Sequence, residues 1–402
     1  MIQFSPPHID KKIIDEVIDS LKSGWITTGP KTKLFEKRIT EYCGNQNTLC
    51  VSSATAGLEL VLRWFGVGPC DEVIVPTYTY CATANVVAHC GAKPVMVDIG
   101  EDFNINTKNI LKAINKNTKV IIPVDLAGFP CDYDEIYNVV EKKKSLFEPT
   151  GEIQKKLERI LILSDAAHSL GAVYKNKKTG NLADISVFSF HAVKNLTTAE
   201  GGAIAFNLPQ PFNNEEIYNY FNIYTLHGQN KDALAKTKIG NWKYDVIMPG
   251  YKANMPDILA AIGLIELERY EREILPKRKF IFDTYKNILS SYNWAIIPEY
   301  ENGIKISSYH VFLLRIKDIS EETRDSIISR IFEKQVSVNV HFQPLPLLSY
   351  YKNNGYNIND YPISYKKYAN VISLPVYYNL SEEQISVVTH AVIDSVEEEL
   401  NS

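Results

Sequence analysis

The sequence predicts an α/β protein on a mainly parallel sheet, with a small α+β domain toward its C-terminal end. Three observations carry this expectation. Short apolar runs recur from Cys50 to Phe206 with helical patterns between many of them, the alternation that builds parallel sheets. The run Ile160-Leu161-Ile162-Leu163 shows no polar alternation, as a strand buried on both faces requires. From about Ala295 the pattern changes to strand-like 311–316 and 336–340 set among helical 321–334 and 382–400. The chain therefore divides into residues 1–260, a large domain with an N-terminal helix, and residues 261–402, linking helices and the small domain.

In chain order, residues 9–22 read as an amphipathic helix with Ile13, Ile14, Val17, Ile18 and Leu21 on one face. Residues 24–30 form a turn-rich loop ahead of a helix over 32–43. The stretch 50–57 leads, as strand and tight turn, into a helix over 58–64. Strands follow at 72–76, 94–99, 120–124, 160–163, 185–190 and 203–206, which with the Cys50 strand makes about seven. Residues 81–89 are helical. Residues 141–157, charged and carrying Pro149 and Gly151, read as a surface excursion. Residues 212–250 are polar and irregular, and 255–273 read as a long helix that a second one follows.

Composition excludes several function classes. The chain of 402 residues is 45% apolar and 22% charged with a net charge of −4, so it advertises no basic face for nucleic acid or membrane. No apolar run reaches membrane-spanning length, and the N-terminus lacks the basic start and apolar core of a signal peptide, so a cytoplasmic location is expected. The cysteines (43, 50, 70, 81, 90 and 131) form no CxxC pair and are read as free thiols, with no metal site.

Two stretches carry chemistry. In 185–202 a strand ends in a turn bearing His191 and Lys194, so the sheet rim presents a lysine amine that can serve as a Schiff-base nucleophile. Ser189, five residues earlier, offers a hydroxyl to a phosphate. Taken alone, such a lysine is a solvated surface charge. In 160–172 Asp165 closes the Ile160 strand and His168 follows; ligands bind outside the carboxyl ends of such strands. Asp165 is either a helix cap or the carboxylate held against a pyridinium nitrogen, and with Lys194 it meets both needs of pyridoxal 5′-phosphate. The turn at Ser53, Ala54 and Thr55 suits an anion at a helix start or a plain N-cap, and it lacks the P-loop lysine and the dinucleotide glycine spacing. Tyr80, at the rim after Pro76, is placed either to stack on a planar ring or to pack in the core.

These residues resemble those of the DegT/StrS-type sugar aminotransferases over nearly the whole length. The matching stretches are GWITTGP (24–30), VSSATAGL (51–58), VPTYTYCATAN (75–85), SDAAHSLGA (164–172), FSFHAVKNLTTAEGG (188–202), GYKANMPDILAAIGL (250–264) and SLPVY (373–377). The first of these, with SATAG and HAxKN, has the form of the branch that makes 4-amino-4-deoxy-arabinose nucleotides. The resemblance implies the fold-type I architecture of pyridoxal-phosphate transferases and a homodimer with shared active sites. It implies that Lys194 forms the Schiff base and shuttles the proton, that Asp165 pairs with the ring nitrogen, and that His168 sits near the phenolic oxygen. Tyr80 would stack on the ring, Ala54, Thr55 and Ser189 would hold the phosphate, and the partner would add Asn254 or Lys252. Here Lys252 stands for the family's usual Asn and Asn254 for its usual Arg.

Glutamate would donate its amino group, leaving 2-oxoglutarate, and a nucleotide-linked 4-keto sugar would accept it, in ping-pong order, for surface polysaccharide or glycan synthesis. Two alternatives stand beside this: the family's dehydratase branch, which has His in place of the Schiff-base lysine and which Lys194 disfavours, and a non-catalytic regulator. Sugar choice rests with loop residues around 25–28, with 225–250, or with His310 and His341; the two histidines are otherwise read as structural.

Overall fold

In the computed structural model, which describes residues 1–231 and 243–401, the apolar runs pair into one seven-stranded sheet. Its strands are β1 (Asn47–Val51), β2 (Glu72–Pro76), β3 (Lys93–Val97), β4 (Thr118–Ile121), β5 (Leu161–Asp165), β8 (Ile185–Ser189) and β9 (Gly202–Phe206). The order is β1-β9-β8-β5-β4-β2-β3. Strands β3, β2, β4, β5 and β8 run parallel, and β9 runs antiparallel between β8 and β1. The expected mainly parallel α/β sheet of seven strands is therefore present. The short β6 (Val173–Tyr174) and β7 (Lys177–Lys178) pair with β11 (Lys305–Ile306) in a separate three-stranded sheet.

Three N-terminal helices set the frame: α1 (Lys11–Ser23), α2 (Pro30–Cys43) and α3 (Ala54–Trp64). Helix α3 starts four residues before the expected Leu58, because Ser53 is a true N-cap whose side chain accepts from Ala56 N. Gly57 lets α3 lie close on the sheet: a Cβ there would come within 2.9 Å of Val187. Further helices are α4 (Ala82–His89), α5 (Thr107–Ala113), α6 (Tyr133–Lys142), α7 (Glu152–Leu157) and α8 (Asn214–Tyr224). The expected surface excursion at 141–157 thus contains α7, anchored by buried Gln154, which donates to the Phe65 carbonyl at 2.9 Å. Residues 232–242 of the expected irregular stretch lie outside the described residues.

The long helix predicted over 255–273 is α9 (Asp257–Arg269), followed by a π turn (Tyr270–Ile274) and then α10 (Leu275–Leu289). Pro276 lacks the N–H that would continue the ladder, which accounts for the break. The C-terminal sheet has the order β10 (Ala295–Ile296), β12 (Phe312–Ile316), β13 (Val371–Leu374), with α11 (Glu321–Glu333) and α12 (Glu382–Leu400) packed on it. The strand expected at 336–340 does not form. That segment makes single bridges, Ile2 to Val336 and Asn339 to Ser373, and β10 and β13 are strands the sequence does not predict. No helix among the described residues is long and apolar enough to cross a membrane.

Two matching stretches more than 200 residues apart in the chain meet at one carboxylate. Buried Asp257, at the start of α9, accepts from Gly29 N (2.7 Å), Lys31 N (3.0 Å), Thr32 N (2.9 Å) and Thr32 Oγ1 (2.6 Å), and so caps α2 from outside it. Helix α1 packs on α9, yet much of its apolar face stays in solvent: Ile14, Ile18 and Leu21 are 49%, 39% and 55% exposed. Of the expected apolar face of α1, Ile13 is buried and Val17 half-buried.

Asp257→Ala strips the first turn of α2 of its shared acceptor. Chemical denaturation is expected to show a loss of about 2 kcal/mol or more, and a loss under about 0.5 kcal/mol would contradict the capping role.

Candidate active site

The site is built from strand ends. β5 and β8 are parallel neighbours, with Asp165 opposite Val187, so Asp165 and the turn after Ser189 emerge on the same edge of the sheet. The N-terminus of α3 reaches that edge beside β9. Gly202 permits the approach, since a Cβ there would lie 2.6 Å from Ala54 N. Between these ends lies a cavity of about 400 Å³ whose walls include Ala54, Thr55, Tyr80, Asp165, His168, Ser189 and Lys194. Seven of the eight predicted site residues thus come together.

The eighth, Asn254, does not line the cavity of its own chain. Its Nδ2 donates to Thr28 Oγ1 at 2.5 Å, and its Oδ1 accepts from Lys252 Nζ at 2.6 Å, beside the capped start of α2. The 25–28 loop also stays outside the cavity wall of its own chain.

Asp165 is buried, with Thr83 Oγ1 donating to Oδ2 at 2.7 Å and Ala167 N donating to Oδ1 at 3.2 Å. Burial pushes its carboxyl above the ordinary value, against the pull of Thr83, the Ala167 amide and the Lys194 charge. Lys194 is half-buried in the turn that its own N–H closes on the His191 carbonyl. Burial lowers its amine to about 8, and the charge of Asp165 opposes that shift without a hydrogen bond between them. An amine so poised is a usable nucleophile near neutral pH.

His168 is buried, and the Ala127 N–H donates to its Nδ1 at 3.3 Å, which leaves the proton of the neutral ring on Nε2. Burial, then the Lys194 and His341 charges, hold it well below the usual histidine range. Its ring lies 4.3 Å from that of His310. His310 in turn meets Asn195 Oδ1 through Nδ1 at 2.7 Å, and Asn195 Nδ2 donates to the Ser308 carbonyl. Tyr80 is 59% exposed at the rim.

The residues fit pyridoxal 5′-phosphate. A buried carboxylate with hydroxyl and amide donors but, among the described residues, no cation in contact suits a protonated ring nitrogen beside it. The first-turn amides of α3 and the hydroxyls of Thr55 and Ser189 suit a phosphate at a helix start. Sequence reasoning does not find Phe4, Ser5 and Phe342 as parts of this wall, nor Thr83 as the hydroxyl that holds Asp165, while His310 and His341, offered for sugar choice and otherwise read as structural, both line it. Nothing local marks Phe4, Ser5 and Phe342, because they arrive from elements far apart in the chain.

The chain was compared with known proteins. The profile of the DegT/DnrJ/EryC1/StrS aminotransferase family matches residues 7–393. The chain is 33% identical over 400 residues to the spore coat polysaccharide biosynthesis protein SpsC of Bacillus subtilis, covering 98% of this chain and 97% of that one. It is 36% identical over 354 residues to the UDP-4-amino-4-deoxy-L-arabinose--oxoglutarate aminotransferase of Shewanella sediminis, covering 87% of this chain and 84% of that one. Among solved structures it resembles the putative sugar aminotransferase Spr1654 of Streptococcus pneumoniae. The form of that protein with pyridoxamine phosphate matches at TM-score 0.96 and 46% identity, covering 99% and 100% of the two chains. The form with pyridoxal phosphate matches at TM-score 0.94 and 44% identity, covering 99% of each.

The lowered amine predicts a pH profile. Uptake of pyridoxal 5′-phosphate by the apoprotein, followed by visible absorbance, is expected to quicken with pH and level off above about 8, as Lys194 loses its proton. A rate still climbing toward the ordinary lysine value of 10.5 would contradict the assignment of Lys194 as the reacting amine.

Proposed function

The chain belongs to the DegT/DnrJ/EryC1/StrS aminotransferase family and is a pyridoxal-phosphate-dependent sugar aminotransferase, and from that premise we propose that it moves an amino group from glutamate to a nucleotide-linked 4-keto sugar. The observation that carries the chemistry is the placement of Lys194 and Asp165 on adjacent strand ends in one cavity at the N-terminus of α3. When bound, the cofactor supplies a carbonyl that accepts an amino group from one substrate and passes it to the next, with a ring that spreads the charge of the reacting carbon.

In this reading each residue has a distinct task. The Lys194 amine, which loses its proton near pH 8, would hold the cofactor and would carry a proton on Nζ to and from the substrate carbon. Asp165, held by Thr83 and the Ala167 amide, keeps the ring nitrogen protonated. His168, neutral, offers Nε2–H toward the ring's oxygen. Ala54, Thr55 and Ser189 hold the phosphate, and Tyr80 covers the exposed face of the ring.

The choice of substrates is supported by the named relatives. The Shewanella protein's name specifies oxoglutarate and an aminated arabinose nucleotide, and SpsC is named for polysaccharide synthesis. A homodimer is part of the proposal. The exposed stripe of Ile14, Ile18 and Leu21 on α1 needs a cover, and a second copy would bring Asn254 or Lys252 toward the phosphate. A cytoplasmic site of action goes with it, in keeping with cysteines that are all free thiols.

Incubation with glutamate and a UDP-linked 4-keto pentose is expected to release 2-oxoglutarate and an aminated sugar nucleotide, read by mass spectrometry. Lys194→Ala should abolish turnover with the fold intact. Asp165→Asn should keep the cofactor and lose about 100-fold or more in rate, the scale of a proton-holding group. Turnover by Lys194→Ala, or a normal rate for Asp165→Asn, would overturn the roles given to them.

A further inference from the structure

The N-terminal stretch before α1 is tied to the site at several points. Ile2 N donates to the Gln335 carbonyl at 2.8 Å and Ser337 N to the Ile2 carbonyl at 2.9 Å, which fastens the stretch to the small domain. Ser5 Oγ donates to the carbonyl of Val193, the residue before Lys194, at 3.2 Å. Asn379 Nδ2 meets His8 Nδ1 at 2.9 Å. Between these ties Phe4 stacks on His341, with centroids 5.4 Å apart and planes 20° apart, and both rings line the cavity. His341 meets Phe342 edge-on at 4.9 Å, and Phe342 lies 5.8 Å from both Tyr80 and His168. One aromatic wall therefore runs from the N-terminal strap to the residues assigned to the cofactor.

We propose that Phe4 is a specificity-determining residue, the outer end of a Phe4–His341–Phe342 wall against which the sugar ring of the acceptor lies. The inference rests on the reading of the acceptor as a keto sugar. The face of an aromatic ring carries negative charge density. It attracts the polarised C–H bonds on the apolar face of a sugar ring and repels a carboxylate. The wall adds no cation to reverse that preference. Lys194 is the sole lysine among the described lining residues and no arginine is among them. His341 is kept neutral by burial, which lowers it to about 4, with the Lys194 charge acting in the same direction. A dicarboxylate donor thus gains nothing from this wall, whereas a sugar ring does. Phe4 also belongs to no helix or strand, so its ring can be changed without breaking an element of the fold.

The test uses the holoenzyme and separates the two half-reactions. Phe4→Leu and Phe4→Ala are compared with wild type for the visible spectrum of the bound cofactor, the single-turnover rate with glutamate, and kcat/KM for a UDP-linked 4-keto pentose. The spectrum and the glutamate rate are expected to stay within about twofold. The kcat/KM for the sugar should fall roughly 5- to 10-fold, through KM, and Phe4→Tyr should restore it, the size of one aromatic contact. Equal losses in both half-reactions would make Phe4 a brace for the Lys194 turn and overturn the proposal, as would an unchanged KM for the sugar. Wild-type protein that takes nitrogen from glutamate but aminates no keto sugar would overturn the functional reading itself, and the role of Phe4 with it.

Discussion

Asp165 reaches the end of β5 buried, and among the described residues only Thr83 Oγ1 and the Ala167 amide donate to its carboxylate. A carboxylate in that setting costs on the order of several kcal/mol unless a positive group comes to it. Lys194 lowers that cost only from a distance. The arrangement persists because parallel pairing of β5 with β8 fixes both strand ends together, and because Gly57 and Gly202 bring the helix start of α3 against the same edge. The architecture thus sets a buried carboxylate beside a helix start, a pocket that suits a protonated ring nitrogen with an anionic tail. The same burial that lifts Asp165 lowers Lys194, so one environment prepares both groups.

A second junction sets what surrounds the pocket. Asp257 caps α2, and Asn254 and Thr28 bond beside it, so the loop at 24–30 and the segment at 250–257 form a single structural unit. That unit lies outside the cavity of its own chain, next to the uncovered apolar face of α1. An exposed apolar face beside polar side chains that do not line their own cavity is what a shared site between two copies would use. The N-terminal strap joins residues 335–337, through Ile2, to the Lys194 turn, through Ser5, so the first five residues bear on the geometry of the cavity.

Much of this was legible in the sequence because its causes are local. Unbroken apolar runs name buried strands, and a polar residue at the end of such a run falls at the sheet rim, which is how Lys194 and Asp165 stand out. What was illegible depends on distant partners. Phe4 and Phe342 enter the wall through packing of the N-terminal strap on residues 341–342, whereas His310 and His341, offered for sugar choice, find their neighbours His168 and Phe4 only in the fold. The alternation of Val336, Val338 and Val340 imitates a strand, but the segment finds only single bridging partners, while four-residue β13 pairs fully with β12. The periodic face of α1 was read correctly as apolar. Its exposure reflects a surface that the chain does not cover by itself.

The most direct test of the account is the visible absorption of the cofactor-loaded protein, recorded before and after glutamate and again after a UDP-linked 4-keto sugar. The account predicts a cofactor band that glutamate bleaches and the keto-sugar nucleotide restores, one half-reaction at a time. A band indifferent to every amino donor would contradict it, leaving a cofactor held by the pocket but no transfer of nitrogen.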